Sequence, residues 1–380
     1  MEIVCEVKKV KLLWLEFENL KTGLKIKHIS FNEDVTLLVG LSGVGKTQIL
    51  NAINFSLRLA VNESLRLKPY AVKICFEINN VVYEWNYRIE LAQNEDIIKS
   101  EEVKYVFTYE ELLRDNKTII LRDKDKTEIL GYDKVPTPKS DESVLLQYSE
   151  DKIIHSIIIE LLKLYPIELE MDVRGAIDRN SFRMFKTKIK ESIDNAPVSS
   201  FERFSHLPVP IKLYIVKQYY PNLYAKIFDA IKELFIEITD LKIIEDPVMD
   251  ISLVAIEVYG KTLVQTEISN GMLKTIYYII ELFTMSENSL VLIDEFENGL
   301  GVNCIDVLAE ILLYERKDLQ FIITSHHPKI INQIPSTKWK IIERNVNIVE
   351  NSTSEVYGLN HSQHDAYFNL LNRWEYEGKI

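Results

Sequence analysis

The sequence predicts an α/β fold: a mixed central sheet carrying a Gly-rich loop, an antiparallel β meander, and a helical lobe inserted between two halves of the sheet unit. Three observations predict it. Residues 40–47 read Gly-Leu-Ser-Gly-Val-Gly-Lys-Thr and fit GxxxxGK[ST] at every fixed position, between a short apolar run and a helical one. Residues 72–121 are rich in Val, Ile, Tyr and Phe and are broken by Asn and Asp turns. From about 147 to 242 the apolar period becomes helical.

The loop organises the rest. Residues 34–39 are apolar and β-branched, as a buried parallel strand requires, and 48–60 form the expected helix. Gly40, Leu41, Ser42, Gly43, Val44, Gly45, Lys46, Thr47 and Gln48 make the candidate phosphate cradle. Gly40, Gly43 and Gly45 are expected at positive φ, so that successive N–H groups point at phosphates lying at the positive end of the helix dipole. Lys46 is expected to reach the β and γ phosphates, and the Thr47 hydroxyl to bind Mg²⁺. An ordinary Gly-rich turn is the plainer reading. Against it, the chain holds only 12 Gly, and Gly40, Gly43 and Gly45 are crowded together.

In chain order, strands are expected at 10–17, 24–31 and 35–39, then at 72–78, 81–91, 103–109 and 118–121. Residues 123–143 are charged, contain Pro136 and Pro138, and read as a loop or hinge. Ile153, Ile154, Ile157, Ile158, Leu161 and Leu162 share one helical face, and helices follow at 211–219 and 223–235 around Pro221. Arg174, Arg179, Arg183, Lys186, Lys188 and Lys190 face only Asp172 and Asp178. They read as a solvated helix face, or as a contact for phosphate backbones or an acidic partner. A strand returns at 251–258, and 290–294 and 320–324 are short apolar runs ending in polar residues, as central parallel strands do. The expected division is 1–145 for the N-terminal part of the sheet unit, 146–250 for the helical lobe and 251–380 for the C-terminal part.

Composition excludes several classes. With 47% hydrophobic and 27% charged residues among 380, the chain has the balance of a soluble globular protein of two lobes. It has neither a long apolar span nor a secretory leader at residue 1, so a cytoplasmic location without membrane contact is expected. Cys5, Cys75 and Cys304 are too scattered for disulfides or zinc. A net charge of −12 opposes non-specific coating of nucleic acid, although a local basic patch leaves DNA as a partner open.

Later motifs narrow the chemistry. Ser-Leu-Val-Leu-Ile-Asp-Glu at 289–295 has the form of a Walker B segment. Asp294 is expected to hold Mg²⁺ through its water shell, and Glu295 to orient and deprotonate the attacking water. Glu-Ile-Ser-Asn-Gly-Met-Leu-Lys at 267–274 opens an apolar helix. Ser269 as N-cap and Gly271 in the first turn suit a γ-phosphate belonging to a second subunit, a plain N-cap being the alternative. At 324–327, Thr-Ser-His-His ends a strand. His326, directly after Thr324-Ser325, is chosen over His327 as the group that senses the γ-phosphate.

On these residues the chain resembles the ABC-type ATPases of the SMC, RecF and OLD group, especially the compact bacterial AAA family ATPases of phage-defence and abortive-infection systems. Gly40 to Thr47 matches the family's Walker A, Ser269-Asn270-Gly271 with Lys274 its degenerate signature, and Asp294-Glu295 its Walker B. Glu297-Asn298-Gly299-Leu300 is similar to the D-loop, and Thr324-Ser325-His326 to the switch-histidine segment. Leu41-Ser42, Gln48, Gly301 and His327 depart from the usual residues without removing a catalytic group. Gln147 is the candidate for the family's Q-loop glutamine. Residues 339–380 are too few for a Toprim nuclease, and the insertion lacks the heptads of SMC arms.

The resemblance implies an ABC-type head that hydrolyses ATP with Mg²⁺ and closes head to tail with itself as an ATP-sandwich dimer or higher oligomer. As a sensor and switch in antiphage defence it would control a separately encoded effector, a nuclease or toxin. The alternative it implies is a RecF/SMC-like DNA-binding ATPase in repair or processing.

Overall fold

A computed structural model describes residues 10–61, 65–92, 104–164, 167–168, 177–194, 207–246, 248–353 and 363–376. It divides into two compact units, the first of Met1–Glu168, Asn288–Phe296 and Asp318–Ile380, the second of Leu169–Glu287 and Glu297–Lys317.

The first unit begins with strands β1 (Val10–Asn19), β2 (Leu24–Ser30) and β3 (Val35–Val39), then helix α1 (Lys46–Val61). Strands β4 (Tyr70–Ile78), β5 (Val81–Leu91), β6 (Tyr105–Arg114), β7 (Lys117–Arg122) and β8 (Thr127–Ile129) follow, β4 antiparallel to β1 and each later strand antiparallel to the one before. Asn79-Asn80 and Asp115-Asn116 turn this meander with φ of 52°, 64°, 46° and 61°. Two successive positive φ values match the twist of a hairpin, and Asn and Asp tolerate them. The segment read as a loop at 123–143 contains β8, too short for its alternation to register.

Short helices α2 (Val144–Gln147) and α3 (Lys152–Leu161) and strand β9 (Ile167–Glu168) complete the N-terminal contribution. Arg122 and Glu110, both buried, pair at 3.0 Å. Glu110 Oε2 also accepts from Val144 N at 2.8 Å, which ties the meander to the start of α2. Burial pushes the Glu110 carboxyl up, and Arg122 opposes that shift.

The centre of the sheet comes from the other end of the chain. Its order is β8-β7-β6-β5-β4-β1-β2-β17-β16-β3-β15-β14-β9, with β14 (Leu290–Ile293), β15 (Gln320–Thr324), β16 (Trp339–Asn345) and β17 (Ile348–Thr353). β3 lies parallel between β15 and β16, and β14 parallel to β15. Gln320, fully buried, donates to Leu12 O and accepts from Leu12 N at 2.8 Å each, stitching β15 to β1. Helices α9 (Pro328–Gln333) and α10 (Gln363–Tyr376) also belong to this unit. β16 and β17 lie in the stretch after 339 for which no strands were expected.

The second unit holds α4 (Arg179–Asp194), α5 (Val209–Tyr219), α6 (Pro221–Leu234), α7 (Asn270–Thr284) and α8 (Cys304–Glu310). Its small sheet runs β10-β12-β11, with β13 also on β12: β10 is Ile177–Asp178, β11 Ile238–Asp246, β12 Ile251–Val258 and β13 Lys261–Val264. β11 starts inside the stretch read as helical. Ile227, Ile231, Phe235 and Ile238 keep a helical spacing across the end of α6, so the period runs on where the backbone has already turned. Pairing with β12, rather than local preference, makes 238–246 a strand.

Candidate nucleotide-binding site

β3 is buried along its whole length and delivers the chain at Gly40 to the carboxyl end of the parallel strands, where ligands of open α/β sheets sit. Gly43 and Gly45 take φ of 80° and 112°. Gly40 does not have positive φ, contrary to expectation, and glycine is required there for a different reason. A Cβ on Gly40 would stand 2.5 Å from Ile342 O of β16, and one on Gly45 2.9 Å from Val349 Cγ2 of β17. The C-terminal hairpin thus backs the loop too closely for side chains.

Lys46, only 7% exposed, folds over this loop and donates to Gly40 O at 2.7 Å and Leu41 O at 3.0 Å. Ser42, Gly43, Thr47 and Gln48 are exposed, and Leu41 and Val44 half-buried.

Four residues from three elements meet beside the loop. Thr47 Oγ1 donates to Asp294 Oδ2 at 2.7 Å, and Thr324 Oγ1 to Asp294 Oδ1 at 2.6 Å. Glu295 N in turn donates to Thr324 Oγ1 at 2.8 Å, and Phe296 N to Thr324 O at 3.0 Å. Phe296 is fully buried, so the turn after β14 is anchored while Asp294 and Glu295 stay exposed. Glu295 sits at φ 48°, a left-handed conformation that a non-glycine residue adopts at a cost of about 1–2 kcal/mol. Thr324, which precedes the candidate switch histidine, joins Asp294 to Glu295.

Hydroxyl and carboxylate oxygens in contact are hard donors suited to Mg²⁺. Among the described residues no group of three or more His, Cys, Asp or Glu could cage a metal alone. The Thr47 hydroxyl and the Asp294 carboxylate, 2.7 Å apart, are two such donors.

The two histidines differ. His327 caps α9, its Nδ1 accepting from Lys329 N at 3.2 Å and its own N–H donating to Ser325 Oγ at 3.0 Å. His326 is exposed at the end of the strand-to-helix turn. Gln147 is occupied locally: its amide donates to Lys139 O at 3.1 Å and Glu142 O at 2.9 Å and accepts from Lys139 N at 2.6 Å.

Ser269 and Gly271 belong to the second unit, and the phosphate loop belongs to the first. Ser269 caps α7, its Oγ accepting from Met272 N at 3.4 Å, and is exposed. Lys274 Nζ donates to Asn298 O, and a Cβ on Gly271 would lie 3.4 Å from Gly299 O. The signature-like helix and the D-loop-like turn are thereby joined.

In the same unit Arg179, Arg183 and Lys186 all contact Glu245, at 3.1, 3.0 and 3.1 Å. The hydrogen bond from Lys186, with those from the arginines, holds the Glu245 carboxyl down to about 2. Lys188 and Lys190 are exposed, and Arg174 lies outside the described residues.

Sequence motifs did not point to a cavity of about 610 Å³ beside α1. Gln48, Asn51, Phe55 and Arg58 of α1, Lys68 and Tyr70 before and in β4, and Arg344 and Asn347 of the C-terminal hairpin line it, with residues of the β1–β2 turn. Its signal in the sequence was slight: an Asn-Val-Asn turn between two short β-branched runs at 339–353.

Residues 179–332 match the model of a family described as AAA domain, putative AbiEii toxin, Type IV TA system. That stretch includes Ser269, Asp294, Glu295 and His326, and the phosphate loop precedes it. No curated protein matches the chain. Among solved structures it is similar to the SmcHead bound to the C-winged helix domain of ScpA, at 14% identity and TM-score 0.43 over 90% of this chain and 97% of that one. A Smc head domain with an extended coiled coil, bound to the C-terminal domain of ScpA derived from Pyrococcus furiosus, gives 13% and 0.45 over 91% and 97%. The SMC head domain from Thermotoga maritima gives 12% and 0.43 over 90% and 98%.

Proposed function

We propose that this P-loop ATPase domain of ABC type binds and hydrolyses ATP with Mg²⁺ and works as a nucleotide-driven switch. The observation that carries the reading is the hydrogen-bonded chain Thr47–Asp294–Thr324–Glu295 at the phosphate loop. Bound Mg²⁺ would bridge phosphate oxygens and offset their charge. Thr47 and Asp294 would hold it once their mutual hydrogen bond gives way. Lys46 would exchange the carbonyls of Gly40 and Leu41 for phosphate oxygens, while the loop N–H groups and Gln48 fix the remaining phosphates. Glu295, exposed and held by its backbone, would take the proton of the attacking water, and His326 would contact the γ-phosphate. The nucleoside would extend along α1 into the adjoining cavity.

Ser269 and Gly271 of a second copy would complete the site, the exposed start of α7 meeting the γ-phosphate. Closure and reopening of such a head-to-tail dimer would hold or release a separately encoded effector in antiphage defence. The AbiEii description of the matched family supports that setting. The test is Glu295→Gln. The variant is expected to retain ATP, lose turnover and accumulate nucleotide-stabilised dimers by light scattering; a variant that stays monomeric with ATP bound contradicts the switch.

A further inference from the structure

The C-terminal hairpin does more than back the phosphate loop. Ile342 approaches Gly40 with its carbonyl and Val349 approaches Gly45 with its side chain. Arg344, the partner of Val349 across β16 and β17, lies on the same face of the hairpin as Val349, and Asn347 lies in the turn between the strands. Arg344 and Asn347 line the cavity beside α1. The register that sets Val349 against Gly45 therefore also carries Arg344 to the cavity, and the turn brings Asn347 to it.

The cavity wall is unusual in a chain of net charge −12. Among the described residues it includes Arg58, Lys68 and Arg344 and no carboxylate. Its aromatic part is ordered: Tyr70 meets Phe17 and Phe55 with ring centroids 4.7 and 4.9 Å apart, and Lys68 Nζ stands 5.5 Å over Phe55. Donor-rich walls beside apolar rings suit a ligand with a flat face and many acceptors, which describes the base and ribose of a nucleotide. Gln48, which follows Thr47, places the cavity at the first turn of α1.

Arg344 is held for this task. Its Nε donates to Val346 O at 2.8 Å, clasping a turn in which Val346 is 81% exposed at φ 52°. A β-branched residue rarely adopts that conformation, and strained turns of this kind gather at ligand sites. Its terminal nitrogens make no hydrogen bond among the described residues.

We propose that the β16–β17 turn, through Arg344, is the specificity wall for the nucleoside half of the bound triphosphate. The proposal rests on the phosphate-loop reading above. It is tested on the full chain by calorimetric titration with ATP and with inorganic tripolyphosphate, each with Mg²⁺. Arg344→Ala is expected to weaken ATP about tenfold and leave tripolyphosphate within twofold, whereas Lys46→Ala weakens both. Asn347→Asp, which keeps the turn and brings a carboxylate to the wall, is expected to act like Arg344→Ala and covers the case in which that variant fails to fold. Unchanged ATP affinity in these variants, or equal losses for both ligands, would overturn the proposal. A parent chain that binds neither ligand would overturn the phosphate-loop reading itself.

Discussion

Thr47 Oγ1 reaches Asp294 Oδ2 across 2.7 Å although 247 positions separate them in the chain. On the proposed reading, a bound cation would replace this hydrogen bond. Thr47→Val and Asp294→Asn should each weaken ATP binding at least tenfold in the presence of Mg²⁺, about 1.4 kcal/mol, and change it little in EDTA. Titrations with a fluorescent ATP analogue, run in both conditions, measure the difference. Equal losses with and without Mg²⁺ would place the two residues outside cation binding.

Glu295 combines a strained backbone with the role assigned to the general base. Asn tolerates left-handed φ better than Glu does. Glu295→Asn should therefore leave the thermal midpoint unchanged or raise it, while turnover falls by about 10²–10⁴-fold. A lower midpoint would show that the Glu295 side chain contributes to stability, and retained turnover would remove it from the chemistry.

Gly40 is constrained by the carbonyl of Ile342, a backbone atom that cannot swing away. Gly40→Ala should destabilise the protein by roughly 1–3 kcal/mol and lower ATP affinity, because the loop and hairpin must separate. Gly43→Ala, with open space around its Cβ but φ of 80°, should destabilise by about 1–2 kcal/mol. Denaturant unfolding of both variants tests the order of effects; equal tolerance of both would contradict the close approach.

The Glu245 carboxyl is held at about 2, below its ordinary 4.5, chiefly by Lys186 and then by Arg179 and Arg183. For a lowered carboxylate the added stability is complete above pH 4.5 and is lost as the pH falls toward 2. Glu245→Gln should therefore flatten the acid side of the stability curve across that window, followed by circular dichroism. The same change removes the carboxylate from Arg183 and Lys186, while Arg179 keeps Asp250 at 3.7 Å, so heparin or DNA retention at low salt should rise. Strong DNA binding by the unaltered chain, abolished at Lys188 and Lys190, would instead favour the DNA-processing reading.

Much of the site was legible because its determinants are local. The loop from Gly40 to Thr47 and the apolar run ending at Asp294-Glu295 declare themselves through spacing. The meander turns at Asn79-Asn80 and Asp115-Asn116 do so through residues that accept positive φ. The period misled at 238–242, where the spacing from Ile227 to Ile238 continued past the end of α6. The motif that contains Thr324 points to His326, whereas the contacts of Thr324 itself are with Asp294 and Glu295, which follow the neighbouring strand β14.

What the sequence by itself determined, then, was the chemistry available at each strand end and the alternation of strand and helix, both properties of neighbours along the chain. Only the tertiary structure decided which strands flank β3, why Gly40 must lack a side chain, and that Arg344 shares a cavity with Gln48. Those facts arise from parallel pairing between segments some 300 residues apart, and such pairing depends on side-chain complementarity across the sheet, which no local pattern encodes.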